Sequence, residues 1–579
     1  MKVVIVGGVA GGATAAARIR RLDEKAQIVV FERSGYISYA NCGLPYYIGD
    51  VITDAEELTL QSPESFYSRF RVNMRVHHEV TEIHPEKKTV SVKNLKTGEE
   101  FEESYDKLIL SPGAKPTQPR FFGADLDKVF TLRTVEDTLR IKNYINENHP
   151  KSAVLVGGGF IGLELAENLR ELGMDVTVVE YAKQLMSPFD SDMAAFIHNE
   201  MRKHDVKLVL GRAVEGFEEK DGGVDVLLKD EAPLHADMVV LAIGVTPDTA
   251  LAKEAGLELG IKGAIVVNDR METSVPDIYA AGDAVQVKNS VTGDDALISL
   301  AGPANKQGRI IADNICGLDS RYKGSQGSSV IKVFDMTAAL TGINERTAKT
   351  VGLNADTVIL SPMSHAGYYP GGKVMTVKVV FEKGTYRLLG AQIVGYDGVD
   401  KRIDVLATAI HMGMKATDLK DLDLAYAPPY SSAKDPVNMA GYMADNISKG
   451  VLKQWFVEST LYPFIGGNTV RRSAPPVPGL LPGINHILPY AVPGYEAECG
   501  RDVVFQISRT CLESSLNLFR VLEQEYRALY GRNLTLSRLP EAVILPLCPD
   551  KGTCLHYDQN LSASVYLEND LEQLLRQYS

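Results

Sequence analysis

Short apolar strands alternate with helical segments from the first residue to about residue 325, and this pattern predicts an α/β protein with parallel sheets. Two strand–helix units resemble each other: residues 3–12 read VVIVGGVAGG and residues 153–162 read AVLVGGGFIG. Residues 330–447 combine strand-like runs with an amphipathic helix near residues 405–412, which indicates an additional α+β unit. A change of composition near residue 450 predicts a small separate module at the C-terminal end.

The two glycine-rich repeats are typical of Rossmann-type dinucleotide-binding domains. Each runs from an apolar strand through glycines into a helix of small residues, and a second apolar strand then ends in an acid, Glu32 or Glu180. The glycines let backbone N–H groups at a helix N-terminus approach a pyrophosphate, and the acid suits a ribose diol. The G-x-G-x-x-G spacing is complete in the second repeat, whereas Val9 replaces the middle glycine of the first.

The segment TSVPDIYAAGDA places Asp283 in a loop after a strand, where it would bind a ribityl hydroxyl of a flavin or cap a helix. We therefore expect a flavin and a nicotinamide cofactor. Glu180 favours NADH over NADPH because a carboxylate repels a 2′-phosphate, although Lys183 could offset that charge. The predicted cofactor-binding residues are Gly7, Gly8, Gly12, Glu32, Arg33, Asp283, Gly157, Gly159, Gly162, Glu180 and Gly244.

The segment SYANCGLPYY contains the candidate reactive group, the thiol of Cys42. It follows the second strand of the first repeat, where loops open at the carboxyl edge of a parallel sheet. A helix that begins near Gly43 would lower the thiol pKa. The alternative is a buried structural cysteine, but the adjacent Asn, Gly and Pro favour a loop. No other cysteine precedes Cys316, so Cys42 would cycle alone, as a mixed disulfide or a sulfenic acid.

Composition excludes several classes of protein. The net charge of -13 argues against general nucleic-acid binding, and no apolar run is long enough to span a membrane. The first residues read as a strand rather than as a signal peptide, and six cysteines do not suggest a disulfide scaffold. We therefore expect a cytoplasmic enzyme that acts on a small molecule, with no metal site.

Seven motifs together resemble the single-cysteine pyridine nucleotide-disulfide reductases, in particular the coenzyme A-disulfide reductases and the NADH-dependent coenzyme A persulfide and polysulfide reductases. The motifs are GGVAGGATAAARIRRL, SYANCGLPYY, GGGFIGLELAE, YAAGDA, AGPANKQGR, YYPGG and AYAPPYSSAKD. The resemblance covers residues 1–447 and implies a homodimer with FAD in each subunit. It implies an FAD-binding domain of residues 1–112 and 245–325, an NAD(P)H-binding domain of residues 113–244 and a dimerisation domain of residues 326–447.

The resemblance also implies a coenzyme A site beside Cys42. The implied contacts are Thr14, Arg18, Arg21, Ser38, Asn41, Asn305 and Lys434. Arg18 and Arg21 are three residues apart on one predicted helix and share a face, so their guanidinium groups suit phosphates. Where relatives have a basic residue near position 70, this chain has Phe70, flanked by Arg69 and Arg71.

Two tyrosines complete the implied catalytic set. Tyr368 in YYPGG and Tyr426 in AYAPPYS match residues that relatives place near the sulfur from the partner subunit. A phenol there would donate a hydrogen bond to a leaving thiolate, or the two side chains would simply pack at the dimer interface.

The predicted reaction is FAD-dependent reduction of coenzyme A disulfide, coenzyme A persulfide or polysulfide by NADH, with NADPH possible, through a mixed disulfide at Cys42. Two alternatives are an NADH oxidase or peroxidase that uses a Cys42 sulfenic acid, and a redox sensor capped by coenzyme A. Arg18, Arg21 and Lys434 favour coenzyme A, because a peroxide needs no phosphate site.

The C-terminal region is divided into a linker, residues 448–495, and a module of unknown type, residues 496–579. Long members of the family end in a rhodanese domain, but no rhodanese signature follows residue 450. A helix is expected over residues 511–530. For Cys548 and Cys554, a sulfur-relay role and an inert tail remain open, whereas their spacing is not a standard zinc pattern and a metal site there is not expected.

Overall fold

A computed structural model describes residues 1–117, 121–454 and 491–493 of the 579-residue chain. The chain divides into two compact units. Of the described residues, the first unit comprises Met1–Pro188, Ile197–Asp335 and Leu340–Gly342, and the second comprises Phe189–Phe196, Met336–Ala339 and those from Ile343 onward.

The first unit contains a five-stranded parallel sheet built around the first glycine-rich repeat. Its central strand, Lys2–Val6, has three fully buried residues in succession, as expected for a parallel strand covered on both faces. The order of the strands is Ile278–Ala280, Lys107–Leu110, Lys2–Val6, Gln27–Glu32 and Asn73–Val76.

A second five-stranded parallel sheet in the same unit repeats this arrangement around the second glycine-rich repeat. The order of its strands is Lys207–Leu210, Asp175–Glu180, Ser152–Val156, Met238–Leu241 and Val129–Thr131. In both sheets the repeat lies on the central strand, and the strand beside it ends at the predicted acid. Both glycine turns therefore lie at the carboxyl edge of a sheet, where dinucleotides bind.

Smaller elements complete the first unit. Strands Ala114–Pro116 and Val245–Pro247 form an antiparallel ribbon. The remaining strands are His78–His84, Thr89–Asn94, Glu100–Ser104, Val214–Lys220, Gly223–Leu228, Leu234–Ala236, Ile265–Val266, Val285–Lys288, Asp295–Ala296 and Ser329–Val333. The α-helices are Ala10–Leu22, Leu44–Ile48, Pro63–Phe70, Val135–Asn148, Phe160–Glu171, Ala250–Glu254 and Ala301–Ile315, and Ser191–Lys203 has residues in both units. Short 3-10 turns are Asn41–Gly43, Ala55–Leu58, Pro85–Lys87, Ile261–Gly263 and Gly282–Ala284.

The second unit is built on an antiparallel sheet. Strand Met375–Glu382 pairs with Leu388–Gly395 on one side and with Ala355–Leu360 on the other, and its residues are buried on both faces. The sheet also contains Met336–Gly342, beside Leu388–Gly395. The helices are Glu345–Thr350, Val399–His411 and Pro436–Ser448, with a 3-10 turn at Ala416–Asp421. A short pair of strands, Leu452–Gln454 and Ala491–Pro493, follows.

The predicted α/β class, the two Rossmann-type sheets and the α+β unit are confirmed. Among the described residues, no helix is both long enough and apolar enough to cross a membrane. The predicted C-terminal module, its helix over residues 511–530 and both Cys548 and Cys554 lie outside the described residues, as does most of the predicted linker. The domain boundaries stay predictions.

Candidate active site

The two glycine turns have the same backbone geometry. Gly7 and Gly157 have φ angles of +96° and +115°, a region that favours glycine. A Cβ atom added at Gly12 would lie 1.9 Å from the carbonyl oxygen of Gly7, and one added at Gly162 would lie 2.0 Å from that of Gly157. Four of the predicted glycines are therefore required by the fold of the turns themselves.

Each predicted acid binds the turn of its own sheet. The Glu32 carboxylate accepts hydrogen bonds from the backbone N–H of Gly8 at 2.8 Å and of Ser34 at 3.0 Å. Glu180 accepts from Gly158 at 2.6 Å and from Ala182 at 2.7 Å. Burial of Glu32 raises the pKa of its carboxyl group. The acids thus hold the glycine turns in place, a role that the motif spacing alone did not indicate.

The turns suit the pyrophosphate of a dinucleotide. The N-cap residues of helices Ala10–Leu22 and Phe160–Glu171 are Val9 and Gly159, and neither helix start has a side-chain cap hydrogen bond. Their first N–H groups are thus free of the usual capping oxygen, and the positive end of each helix dipole favours an anion there. A Cβ at Gly159 would meet no atom within 4 Å, so the space above the turn is open.

Asp283 lies in the turn Gly282–Ala284 and pairs with Arg133, whose Nη2 is 2.7 Å from its Oδ2. Arg133 precedes helix Val135–Asn148, and its Nε donates to the carbonyl oxygen of Ala114. The predicted helix-cap role of Asp283 is not seen, because no α-helix begins there. Arg133 was missed by the sequence analysis, since a single arginine in the segment LRTVED carries no motif.

Two further predicted cofactor residues lie near the antiparallel ribbon. Arg33 forms an ion pair with Asp248 at 2.8 Å and is half-exposed. Gly244 has a φ of +102°, and its carbonyl oxygen accepts a hydrogen bond from Thr117. Their contacts with a cofactor stay predictions.

Cys42 is solvent-accessible and lies in the 3-10 turn Asn41–Gly43, which runs into helix Leu44–Ile48. The loop before it is tied to the first glycine turn, because the N–H of Ser38 donates to the carbonyl oxygen of Gly8 at 2.9 Å. Ser38 itself has a φ of +45°. The loop expected from the sequence is therefore present, and it holds Cys42 beside the first dinucleotide turn.

The predicted lowering of the Cys42 thiol pKa is wrong. Partial burial and the carboxylate of Glu164 raise the pKa of Cys42, Arg133 opposes them, and Asp283 adds a smaller increase. Helix Leu44–Ile48 does begin beside Cys42, but it has only five residues, so its dipole contributes little. The charges that control the thiol come from distant parts of the sequence.

Glu164 was also missed by the sequence analysis. It lies on helix Phe160–Glu171, which packs against helix Leu44–Ile48, and it is hydrogen-bonded to the hydroxyl of Tyr46. Burial, together with the charge of Glu167, raises the pKa of Glu164 to about 7. The motif GGGFIGLELAE contains this residue, but the glycine spacing of the motif indicates only a cofactor loop.

The two predicted phosphate-binding arginines have different surroundings. Arg18 donates from Nε to Oδ1 of Asp313 at 2.8 Å, and both side chains are largely buried. Arg21 lies over the ring of Phe70 at 5.4 Å, and Arg69 lies over the same ring at 5.1 Å. Arg21, Arg69 and Phe70 therefore form one cationic cluster, and Arg69, not Arg71, joins the predicted arginines. Arg71 instead lies over Tyr67.

The structure brings together two other predicted substrate residues. The hydroxyl of Thr14 donates to the side-chain oxygen of Asn305 at 2.6 Å, because helices Ala10–Leu22 and Ala301–Ile315 pack closely. Asn41 lies next to Cys42 in the 3-10 turn. These residues and Ser38 all lie in the first unit, as Cys42 does.

The remaining predicted residues lie in the second unit. The hydroxyl groups of Tyr368 and Tyr426 are 2.7 Å apart, and both side chains are exposed. Their hydrogen bond raises the pKa of Tyr426. Lys434 is exposed and precedes Asp435, which caps helix Pro436–Ser448.

A buried arginine organises the loops that carry these tyrosines. Arg402 donates to the carbonyl oxygen of Ser364 at 2.9 Å, to the hydroxyl of Ser431 at 3.1 Å and to the carboxylate of Asp435 at 3.1 Å. Only 1% of its side chain is exposed. Arg402 thus joins the chain before Tyr368 to the chain after Tyr426, and no sequence motif indicated this role.

Comparison with protein families gives two matches. Residues 1–308 match the family described as pyridine nucleotide-disulphide oxidoreductase, and residues 328–436 match the dimerisation domain of that family.

Individual relatives cover the same part of the chain. A coenzyme A disulfide reductase of Staphylococcus aureus is 38% identical over 444 residues, which are 76% of this chain and 99% of the relative. The crystal structure of reduced CoADR-RHD from Bacillus anthracis is 52% identical with a TM-score of 0.77, and the match covers 78% of this chain and 81% of that one. An NAD-dependent persulfide reductase from A. fulgidus is 40% identical with a TM-score of 0.76, covering 78% and 84%. These matches confirm the predicted resemblance.

Proposed function

Because this chain belongs to the pyridine nucleotide-disulphide oxidoreductase family, we propose that it is an FAD-dependent NAD(P)H oxidoreductase that reduces coenzyme A disulfide, coenzyme A persulfide or polysulfide at Cys42. The names of the similar reductases from S. aureus and A. fulgidus support this range of substrates. The dimerisation domain supports a homodimer. The free thiols of Cys42 and Cys316 suit the reducing cytoplasm.

The position of Cys42 carries the proposal. Its thiol lies close enough to Asp283 and Arg133, beside the first dinucleotide turn, and to Glu164, on the helix of the second turn, for all three charges to affect its pKa. A single reactive sulfur at this junction suits a path from the nicotinamide through the flavin to a disulfide. Since no other cysteine precedes Cys316, the resting oxidised form would be a mixed disulfide with a small thiol.

In the proposed cofactor sites, the first glycine turn with Glu32 holds FAD and the second with Glu180 holds NADH. The uncapped helix starts and the open space above Gly159 fit pyrophosphates. When bound, FAD supplies the two-electron transfer from NADH to a disulfide. Asp283, which pairs with Arg133, is the residue proposed to contact a ribityl hydroxyl. Glu180 disfavours a 2′-phosphate through its charge.

In the proposed substrate site, the cluster of Arg21, Arg69 and Phe70 binds the phosphates and the adenine of coenzyme A. Guanidinium groups suit phosphate, and a ring flanked by cations suits a base. Arg18 adds its terminal nitrogens while Asp313 holds its Nε. The bonded pair Thr14 and Asn305, together with Ser38 and Asn41, would contact the pantetheine arm as it reaches Cys42.

In the proposed homodimer, Tyr368 and Tyr426 of the second unit act on the sulfur of the partner subunit. Their mutual hydrogen bond leaves one hydroxyl proton to donate outward, which suits a leaving thiolate. Exposure of both rings in the single chain is consistent with an interface that a second chain covers.

Mass spectrometry of the purified protein tests the substrate class. We expect an adduct of coenzyme A mass on the Cys42 peptide before reduction and its loss after treatment with NADH. The peptide that contains Cys316 serves as the control and should stay unmodified. A different adduct on Cys42 would identify another thiol as the partner. A sulfenic acid that NADH removes would instead favour the oxidase or peroxidase reaction.

A further inference from the structure

Near Cys42 lies a pair of ionisable side chains, Tyr46 and Glu164, that the proposed reaction has not used. Tyr46 lies one helical turn after Cys42, and its hydroxyl is hydrogen-bonded to the Glu164 carboxyl group. Tyr46 lies on helix Leu44–Ile48 and Glu164 on helix Phe160–Glu171, and the two helices pack against each other. Asn168, one turn after Glu164, donates to the carbonyl oxygen of Glu164 at 2.7 Å, and its side chain fills the space above Gly49.

Helix Val135–Asn148 fixes the C-terminal end of helix Leu44–Ile48. The ammonium group of Lys142 donates to the carbonyl oxygen of Ile48 at 2.9 Å and pairs with Asp50 at 2.7 Å. Helix Leu44–Ile48 therefore packs against helices Val135–Asn148 and Phe160–Glu171, and this packing fixes Tyr46 relative to Glu164.

Within the described part of the chain, Glu164 has no counter-ion, although a partly buried carboxylate usually has one. Among the described residues, no lysine or arginine forms an ion pair with it, whereas its neighbour Glu167 pairs with Lys332 and accepts from the backbone of Phe334. The groups that act on Glu164 are Glu167 and Tyr46, and those that act on Cys42 are Glu164, Arg133 and Asp283. A proton is the simplest means of neutralising Glu164.

We propose that Glu164 is the proton-exchanging partner of Cys42: its carboxylate takes the proton of the Cys42 thiol as the sulfur attacks a disulfide and then gives that proton to the thiolate that leaves. The inference rests on the proposed function, which it deepens. When the Cys42 thiolate attacks a disulfide, a bond forms between Cys42 and one sulfur and the substrate S–S bond breaks. The leaving thiolate takes the proton of Glu164 and becomes a neutral thiol, so Glu164 is a carboxylate again.

The return of a proton to Cys42 completes the cycle. NADH supplies two electrons and one proton, and water supplies a second proton. The electrons break the mixed disulfide, one proton forms the second neutral thiol and the other returns to Cys42. The site therefore carries one negative charge before and after each step. Tyr46, whose pKa burial and Glu164 raise to about 12, stays protonated and hydrogen-bonded throughout.

The sign of the coupling gives a pH signature. Below about pH 6 Glu164 is neutral and leaves the thiol pKa unchanged, because burial and Glu167 raise the carboxyl pKa to about 7. As Glu164 ionises between about pH 6 and 8, its charge raises the thiol pKa. The ratio of alkylation rates between Glu164→Gln and the wild type should thus be near one below about pH 6 and rise to roughly 3- to 10-fold near pH 8.

The experiment follows alkylation of Cys42 by iodoacetamide from about pH 5.5 to 9.5 in reduced, FAD-loaded enzyme, with the Cys42 peptide quantified by mass spectrometry. Glu171→Gln, on an exposed position two turns along the same helix, is the matched control and should follow the wild type. Tyr46→Phe should move the ionisation of Glu164, and with it the pH at which this charge begins to slow alkylation, to higher pH. The reason is that the hydrogen bond from Tyr46 lowers the Glu164 pKa. A pH-independent ratio, or no difference from the wild type, would overturn the proposal.

A second measurement tests the proton donation itself. Glu164→Gln should slow the attack of Cys42 on an alkyl disulfide by roughly 10- to 100-fold relative to an aromatic disulfide whose thiolate leaves without a proton. Equal effects on both disulfides would overturn the proposed donation. Neither measurement uses coenzyme A, so failure of coenzyme A disulfide, coenzyme A persulfide and polysulfide alike as substrates would refute the proposed function and leave this inference intact. If Glu164→Gln loses FAD, the shift in the pH dependence of Cys42 alkylation in Tyr46→Phe tests the proposal instead, and no shift would overturn it.

Discussion

Arg18 and Arg21 lie on one helix face, but their removal should have different consequences. Asp313 accepts from Arg18 through Oδ1 and from Ser320 through Oδ2 at 2.9 Å, and its carboxylate is 9% exposed. Arg18→Ala would leave Oδ1 without its charged donor. The cost should be about 1–3 kcal/mol, below the usual cost of breaking a buried ion pair, because Ser320 remains.

Arg21→Ala should barely change stability. Its only described partner is the ring of Phe70, which keeps Arg69 on its surface, so the loss is below about 1 kcal/mol. Both variants should lose a proposed phosphate contact of about 1.5–3 kcal/mol, or roughly 10- to 150-fold in kcat/KM for coenzyme A disulfide. Neither should affect a substrate without phosphates, such as cystine.

The assay combines kcat/KM for coenzyme A disulfide and cystine with thermal denaturation of each variant. We expect both variants to lose discrimination and only Arg18→Ala to melt earlier. The loss of discrimination in Arg21→Ala should shrink with added salt, since its charge is exposed. Equal losses for both substrates would refute the phosphate site, and an Arg18→Ala protein as stable as the wild type would refute the role given to Asp313.

Three further predictions concern the cofactor turns and the tyrosines. Gly162→Ala should destabilise the fold, because its Cβ would lie 2.0 Å from a carbonyl oxygen, whereas Gly159→Ala should melt normally but bind NADH more weakly. Thermal denaturation and NADH titration measure these effects, and equal behaviour of the two variants would contradict the prediction. Glu180→Ala should narrow the NADH:NADPH ratio of kcat/KM by roughly 10-fold, and a wild type that prefers NADPH would contradict the reading of this carboxylate. Tyr368→Phe and Tyr426→Phe should slow disulfide turnover by roughly 5- to 30-fold at an unchanged rate of Cys42 alkylation, whereas native turnover in both would remove the phenols from the mechanism.

The local patterns predicted the parts of the fold that depend on neighbouring residues. The repeats gave both parallel sheets, and the second strands end at Glu32 and Glu180 as expected. The same patterns could not give the long-range ion pairs. Arg18 meets Asp313, and Arg133 meets Asp283, across 295 and 150 residues of sequence.

The pKa of Cys42 shows the same limit. A helix start next to the thiol is visible in the sequence, but the carboxylate of Glu164 and the burial that outweigh it depend on the packing of two helices. Arg402 was equally hidden, because a buried arginine that joins two loops leaves no periodic signal.

The exchange of Cys42 for serine tests the central claim most directly. The Cys42→Ser protein should keep its flavin absorbance and its reduction by NADH, because the proposed cofactor contacts lie elsewhere, but should lose turnover of coenzyme A disulfide. Cys316→Ser is the matched control and should turn over normally. Near-native disulfide turnover by Cys42→Ser would contradict the account.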